Sequence, residues 1–408
     1  MDSLRFISSP NVASLTNGGN HWRSKHFIKN IYYPSSYPSK ILHHKRKPQT
    51  EYSYLRFQQP MLNQHYKCTG EGSAYQDCNE QYGPKVTSRP YSDSEPDVSY
   101  AKRTLNFIKK LLGAFFMFTS PYAILTQTLG IISASLLAVE NISDISPLFF
   151  IGVLQVAIPH LFMAVFFAGM NQLTDLEIDK INKPYLPLVS GQISFTTGVI
   201  IAASSLALSL CLGWVTGSWP LILGLLWCCV LSIAYSINVP FLRWKGKPLL
   251  AAMCICSTWA VVFPISSFLH LQTSVFKRPL IFPRSLIFAV TFMSLYSAGI
   301  ALCKDIPDVE GDAKFGIYSF AARFGEKRVF QICVSLFKMA FGVALLAGAT
   351  SSSLWIKIVT ALGHSILASV FWYQAKTTNL SSKSSITSFY FFTWKLLCAE
   401  YFLMPIVR

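Results

Sequence analysis

Acidic side chains are scarce in this sequence. Its 408 residues carry 19 Asp and Glu against 35 Lys and Arg, and charged residues make up 13% of the chain, about half the share usual in water-soluble domains. That shortage excludes an ordinary soluble surface, and 52% apolar residues with a mean hydropathy of +0.39 indicate a chain built for lipid. The ten cysteines follow no ligand or disulfide spacing: Cys228 and Cys229 are adjacent, Cys254 and Cys256 are one residue apart, and most others stand alone in apolar runs. They read as buried small hydrophobes in a reducing compartment, which excludes a disulfide-stapled framework and a zinc framework. No alternating pattern supports a membrane barrel, so helices remain as the architecture that satisfies backbone polar groups in lipid.

From about residue 110 onward nine apolar runs recur, at roughly 112–138, 147–170, 194–215, 219–239, 249–270, 285–303, 329–350, 354–374 and 386–407. Each is long enough to cross a hydrocarbon core of about 30 Å. The spacing predicts an all-α, polytopic integral membrane bundle of about nine transmembrane helices, with Pro264 and Lys338 interrupting the fifth and seventh. Basic residues test this arrangement, because they gather on the cytosolic side of a membrane or its organelle equivalent. With nine helices, one side collects sixteen Lys and Arg, from Lys102 to Lys383, and the other only Lys277, Arg278, Arg284, Lys357 and Arg408. The net charge of +16 is therefore a topological signal, and no nucleic-acid partner is expected.

The first hundred residues differ in character. Up to Thr50 one acid, Asp2, stands against Arg5, Arg23, Lys25, Lys29, Lys40, Lys45, Arg46 and Lys47, among many serines and with no long apolar core. The missing core excludes a secretory signal, and the rest is the composition of an organelle transit peptide. Residues 1–98 are expected to be that transit peptide and a disordered leader, and 99–408 the membrane domain.

Beyond residue 100 there are eleven acids, and seven fall in two short clusters. One is "NQLTDLEIDKINKP", Asn171 to Pro184; the other is "KDIPDVEGD", Lys304 to Asp312. Four predicted helices separate them, an even number, so both emerge on one side. At about 100° per residue, Asn171, Asp175 and Asp179 share a helical stripe while Glu177 points away. Asp305, Asp308 and Asp312 share a face by the same count, Glu310 lies off it, and Pro307 restricts that geometry to a helix start or an irregular turn. Facing rows of carboxylates repel unless they hold cations. Oxygen ligands without a His partner suit a hard divalent ion, Mg2+ above all, bridging carboxylates to phosphates. The ligand implied is a diphosphate. A third element on the same side, "YSINVPFLRWKGK", offers Arg243, Lys245 and Lys247 to neutralise diphosphate oxygens and Tyr235 to donate a hydrogen bond. His160, His270 and His364 lie in or near apolar runs and read as packed residues.

These motifs resemble those of the aromatic prenyltransferases of the UbiA superfamily. Asn171, Gln172, Asp175 and Asp179 match the family's N-Q/D-x-x-D-x-x-x-D, and Lys304, Asp305, Asp308, Gly311 and Asp312 match the K-D-x-x-D-x-x-G-D of its plant homogentisate-prenyltransferase-like branch. Wording such as "DKINKPYLPLVSG" is similar to plastid enzymes, legume members in particular, that prenylate flavonoids, isoflavonoids or related phenolics. The resemblance covers residues 101–408. It implies that Asn171, Asp175, Asp179, Asp305, Asp308 and Asp312 hold Mg2+, with the five aspartates counted as catalytic. It also implies that Asn171, Gln172, Tyr235, Arg243, Lys245 and Lys304 bind the diphosphate, and that a dimethylallyl group passes to a phenolic carbon at the stromal side of a plastid membrane. Two departures stand out: Ser120 precedes Pro121 where many relatives carry Arg-Pro, and "RWKGK" replaces R-W-K-R, which shifts the last basic contact toward Lys247. Homogentisate prenylation with a longer donor is the alternative within the class. A cation-coupled transporter is the alternative outside it, since acids in membranes often mark ion paths.

Overall fold

A computed structural model describes residues 97–407, so the predicted leader lies almost wholly outside the described residues. Every regular element among them is helical. In chain order these are α1 (Asp97–Phe118), α2 (Pro121–Leu136), α3 (Pro147–Thr174), α4 (Leu176–Asn182), α5 (Phe195–Thr216), α6 (Trp219–Ser236), α7 (Pro248–Cys256) and α8 (Phe263–Leu269). They continue as α9 (Arg284–Lys304), α10 (Val309–Lys314), α11 (Phe320–Phe324), α12 (Glu326–Ala349), α13 (Leu354–Thr377) and α14 (Lys383–Leu403).

Seven helices among the described residues are long and apolar enough to cross a membrane: α3, α5, α6, the continuous Pro248–Val275, α9, α12 and α13. They coincide with the second to eighth predicted runs. The expected nine is not reached, for reasons visible at both ends. The first run is divided where Ser120 takes a left-handed φ of 55° before Pro121, and α1 from Lys102 meets α2 at 64°; counted together, the pair makes an eighth span. The ninth run forms α14, whose Lys395, Glu400 and hydroxyl residues lower its apolarity, and whose Phe389, Thr393, Leu397 and Glu400 are buried against protein.

Proline shapes two spans. Pro159 lies inside α3, and neighbouring helices reach its disturbed turn: Ser209 Oγ donates to the Pro159 carbonyl at 2.8 Å and Gln127 Nε2 to the His160 carbonyl at 2.9 Å. In Pro248–Val275, the wider π turns Ser257–Val262 and His270–Val275 flank α8, and Pro264 sits in the first turn of α8, where its missing N–H disturbs least. The core centres on α9, α12, α13 and α14, where Tyr296, Phe292, Phe337, Phe341, Phe371 and Phe389 are almost fully buried. Tyr296 spends its hydroxyl on the Thr393 carbonyl at 2.7 Å. Outward faces are apolar, and exposed Trp214, Trp219 and Trp355 mark helix ends on one side, as an interfacial aromatic belt requires. His160, His270 and His364 are all fully buried, as expected.

On that same side an arginine clamps the loop between α2 and α3. Arg278 Nη1 donates to the Ala138 carbonyl at 3.0 Å, and Nη2 donates to both oxygens of Asp144 at 2.8 Å. This guanidinium and the Asn141 N–H hold the Asp144 carboxyl down to about 2, from an ordinary 3.8. A carboxyl held low contributes stability above its ordinary value and loses it as pH falls through the lowered one. We therefore expect Arg278→Met to destabilise the detergent-solubilised protein by about 1–3 kcal/mol near neutral pH, with the gap to the native protein closing as pH drops from 3.8 toward 2. Thermal unfolding across pH measures both.

Candidate active site

The first acidic stripe lies where α3 gives way to α4. Asp175 is the joint, with φ −109° and ψ 12°, yet the one-turn spacing continues through it. The Asp175 N–H donates to the Asn171 carbonyl at 3.0 Å, and the Asp179 N–H to the Asp175 carbonyl at 2.8 Å. Asp175 and Asp179 are buried, whereas Glu177 points outward and pairs with Lys180 at 2.6 Å. The stripe expected from the spacing is present, bent at its middle.

The second stripe follows α9. Asp305 caps its C-terminus, Ile306 and Pro307 make a turn, and Asp308 precedes α10, with the Asp312 N–H returning to its carbonyl at 3.0 Å. Pro307 thus occupies the irregular turn it requires. Asp308 is buried, and Glu310 faces away to pair with Lys314 at 3.1 Å.

A glycine brings the two stripes together. A Cβ on Gly311 would stand 2.0 Å from Asn182 Oδ1 and 2.5 Å from its Cγ, so only glycine lets α10 meet α4 this closely. Asn182 Nδ2 donates to Asp312 Oδ1 at 3.1 Å. Beside it, the Lys183 ammonium donates to Asp308 Oδ2 at 2.9 Å and lies 3.9 Å from Asp179 Oδ1, joining the stripes with one charge. Lys245 contacts Asp175. Lys304 lies 3.2 Å from Asp305 and donates to the Tyr235 hydroxyl at 3.1 Å. Four aspartates therefore meet three lysines, and the fifth, Asp312, meets the Asn182 amide.

Their ionisation reflects this crowding. Burial pushes the Asp179 carboxyl up to about 6; Lys183 and Lys304 restrain the rise and Asp308 adds to it. Burial, then Asp308, raises Asp312 to about 6. Burial opposes the charge on Lys183, but Asp308 and Asp179 outweigh it and hold the ammonium above its usual range.

Other expected residues are placed differently. Gln172 turns its amide Nε2 onto the Phe118 carbonyl at 2.8 Å, bracing the α1–α2 bend, while its buried Oε1 has no protein partner. In the loop after α6, Phe241 and Arg243 adopt left-handed φ values of 69° and 56°. That turn carries Lys245 inward and leaves Lys247 exposed; neither Arg243 nor Lys247 forms an ion pair among the described residues. The sequence did not single out Lys183 or Asn182. The only signals were the i,i+4 spacing of Asp179 and Lys183 and the glycine within "DVEGD".

Aromatic walls lie on the membrane side of the acids. Phe167, one turn before Asn171, has its ring 6.0 Å from that of Tyr235, and Trp394 lies 6.2 Å from Tyr390 and 5.0 Å from Trp259. For a metal, the donor set of five carboxylates and the Asn171 amide, with no His or Cys, fits a hard divalent cation. No three acids converge on a common point among the described residues, and four of the five carboxylates are in ion pairs with Lys183, Lys245 or Lys304.

Residues 128–396 match the UbiA prenyltransferase family, a stretch that holds both stripes and the lysine loop. The chain belongs to the UbiA prenyltransferase family. It is 56% identical over 405 residues, 99% of each chain, to glycinol 4-dimethylallyltransferase of Glycine max. Identity is 49% over 98% of each chain to naringenin 8-dimethylallyltransferase 2, chloroplastic, of Sophora flavescens. It is 52% over 73% of this chain and 76% of the other for homogentisate phytyltransferase 1, chloroplastic, of Arabidopsis thaliana. A UbiA homolog from Archaeoglobus fulgidus, solved bound to GPP and Mg2+, shares the fold at a TM-score of 0.50 and 18% identity, over 72% of this chain and 99% of that one. Family membership decides for a membrane-embedded transferase over a cation-coupled transporter.

The contact of α4 with α10 gives this UbiA prenyltransferase a direct test. Gly311→Ala is expected to separate the stripes at an overpacking cost of about 1–3 kcal/mol and to remove most prenyl transfer. Adding Asn182→Ala, which deletes the colliding amide, should restore part of the lost stability, read as coupling in a thermal double-mutant cycle.

Proposed function

We propose that the enzyme transfers a dimethylallyl group from dimethylallyl diphosphate to an aromatic carbon of a flavonoid or isoflavonoid acceptor, releasing diphosphate. The observation that carries this reading is the joining of two acidic stripes by Lys183, which reaches Asp308 125 residues away in sequence, at the mouth of an apolar, aromatic-walled bundle. A charged head and an apolar tail need those two environments side by side. The full-length similarity to enzymes named as glycinol and naringenin dimethylallyltransferases supports the donor and acceptor class.

Asn171, Asp175, Asp179, Asp305, Asp308 and Asp312 would hold Mg2+, which when bound supplies positive charge to the leaving diphosphate. Lys183, Lys245 and Lys304 add ammonium donors to the same oxygens, and the Tyr235 hydroxyl adds one hydrogen bond. Arg243 lies two residues before Lys245 in the loop after α6, and Gln172 holds the chain that carries Asn171. As the C1–O bond breaks, its electron pair leaves with diphosphate and C1 becomes an allylic cation. The faces of Phe167 and Tyr235 stabilise that cation and keep water away. A ring carbon of the acceptor attacks C1, and its proton passes to the released diphosphate or a motif carboxylate, which restores aromaticity.

The stromal face of a plastid membrane is the proposed location of the acidic end. The basic leader, the excess of Lys and Arg on that side, and the chloroplastic names of relatives support it. Homogentisate prenylation is the second reading, favoured by the 52% identity to a homogentisate phytyltransferase.

The test is product identification from membranes expressing the full chain, supplied with dimethylallyl, geranyl or phytyl diphosphate and with homogentisate or a flavonoid and isoflavonoid panel. A dimethylallylated flavonoid or isoflavonoid that disappears with EDTA and returns with Mg2+ is expected, while turnover of homogentisate alone would overturn the acceptor assignment. Asp175→Asn and Asp308→Asn should each lower kcat/KM by roughly 100-fold or more; wild-type turnover in either would remove those residues from the site.

A further inference from the structure

The lysines stand where a divalent cation is expected, and this has consequences for the order in which ligands bind. Lys183 Nζ holds Asp308 at 2.9 Å with Asp179 at 3.9 Å, and Lys245 holds Asp175. No three acids are left to converge among the described residues, so a cation arriving alone has to break an ion pair. The displaced ammonium would then lie in a half-buried pocket without a partner, which is costly. An anion arriving with the cation removes that cost.

We propose that Lys183 and Lys245 are exchangeable counter-cations. They neutralise Asp308, Asp179 and Asp175 while the site is empty, and they pass to the diphosphate oxygens when a divalent cation takes those carboxylates. The inference rests on the diphosphate site proposed above. The backbone need not move. Lys183 follows the last residue of α4, Asn182 beside it is tied to Asp312 at 3.1 Å, and the Lys183 side chain is 35% exposed, so its flexible stem has room to swing. Lys304 is not part of the exchange, because its ammonium is shared between Asp305 and the Tyr235 hydroxyl. Cation and diphosphate then bind with positive, reciprocal coupling: each removes the obstacle to the other.

Lys183→Met separates this role from simple attraction of an anion. The purified full-length enzyme in detergent is titrated with Mn2+, alone and with inorganic diphosphate, and free Mn2+ is read by electron paramagnetic resonance. In the native protein, diphosphate is expected to tighten Mn2+ binding severalfold. In Lys183→Met, Mn2+ alone should bind about fivefold tighter, the fold-change that loss of a competing ion pair of about 1 kcal/mol produces. The effect of diphosphate should shrink to match, and Lys183→Arg should restore it. Unchanged or weaker Mn2+ binding in Lys183→Met, or undiminished coupling, overturns the exchange. Neither prenyl donor nor acceptor takes part, so failure here leaves phenolic prenylation standing, and a failed acceptor panel leaves the exchange standing.

Discussion

Five carboxylates gathered at one mouth of a membrane bundle repel one another, and the local structure is arranged around supplying them with positive charge. Two unit charges about 4 Å apart interact by about 4 kcal/mol at the effective dielectric of a protein surface, so buried Asp175, Asp179 and Asp308 need cations at contact distance. Lys183 and Lys245 meet that need, and Lys304 does the same for Asp305, from three separate elements. In the proposed reaction the same lysines would supply the positive charge that a leaving diphosphate requires.

The helices set up this junction by where they end. α3 and α9 deliver their acids at their C-terminal ends, the loop from α6 to α7 turns Lys245 inward through left-handed residues, and α14 brings Tyr390 and Trp394 against Trp259. Polar chemistry is thereby confined to a shallow layer above an aromatic one. In the proposed reaction, a cation formed between those layers would meet ring faces on one side and the leaving anion on the other. At the opposite end of the bundle, Arg278 ties Asp144 and the Ala138 carbonyl together.

Much of this was legible in the amino-acid order because periodicity and parity survive folding. Helical spacing placed Asp175 and Asp179 on one stripe and turned Glu177 outward, an even number of spans put both clusters on one side, and Pro307 marked the turn before α10. What escaped were features that depend on contacts distant in sequence. Lys183 read as ordinary positive flanking until Asp308 was found against it, and Asn182 carried no signal apart from the glycine it packs on. Gln172 sat within a diphosphate motif, but its amide serves the Phe118 carbonyl. The count of spans differed because hydropathy does not reveal the left-handed residue that bends the first run at Ser120, and because Lys395, Glu400 and the hydroxyls of α14 leave it less apolar than the counted spans.

The position of bound diphosphate is the most direct measurement of the central claim, obtained from an experimental structure of the full chain with dimethylallyl diphosphate and Mg2+. Diphosphate density between Asp175 and Asp179 on one side and Asp308 and Asp312 on the other, with the tail running toward Phe167 and Tyr235, is the expected result. Density held by one stripe alone, or lying away from both, would contradict it.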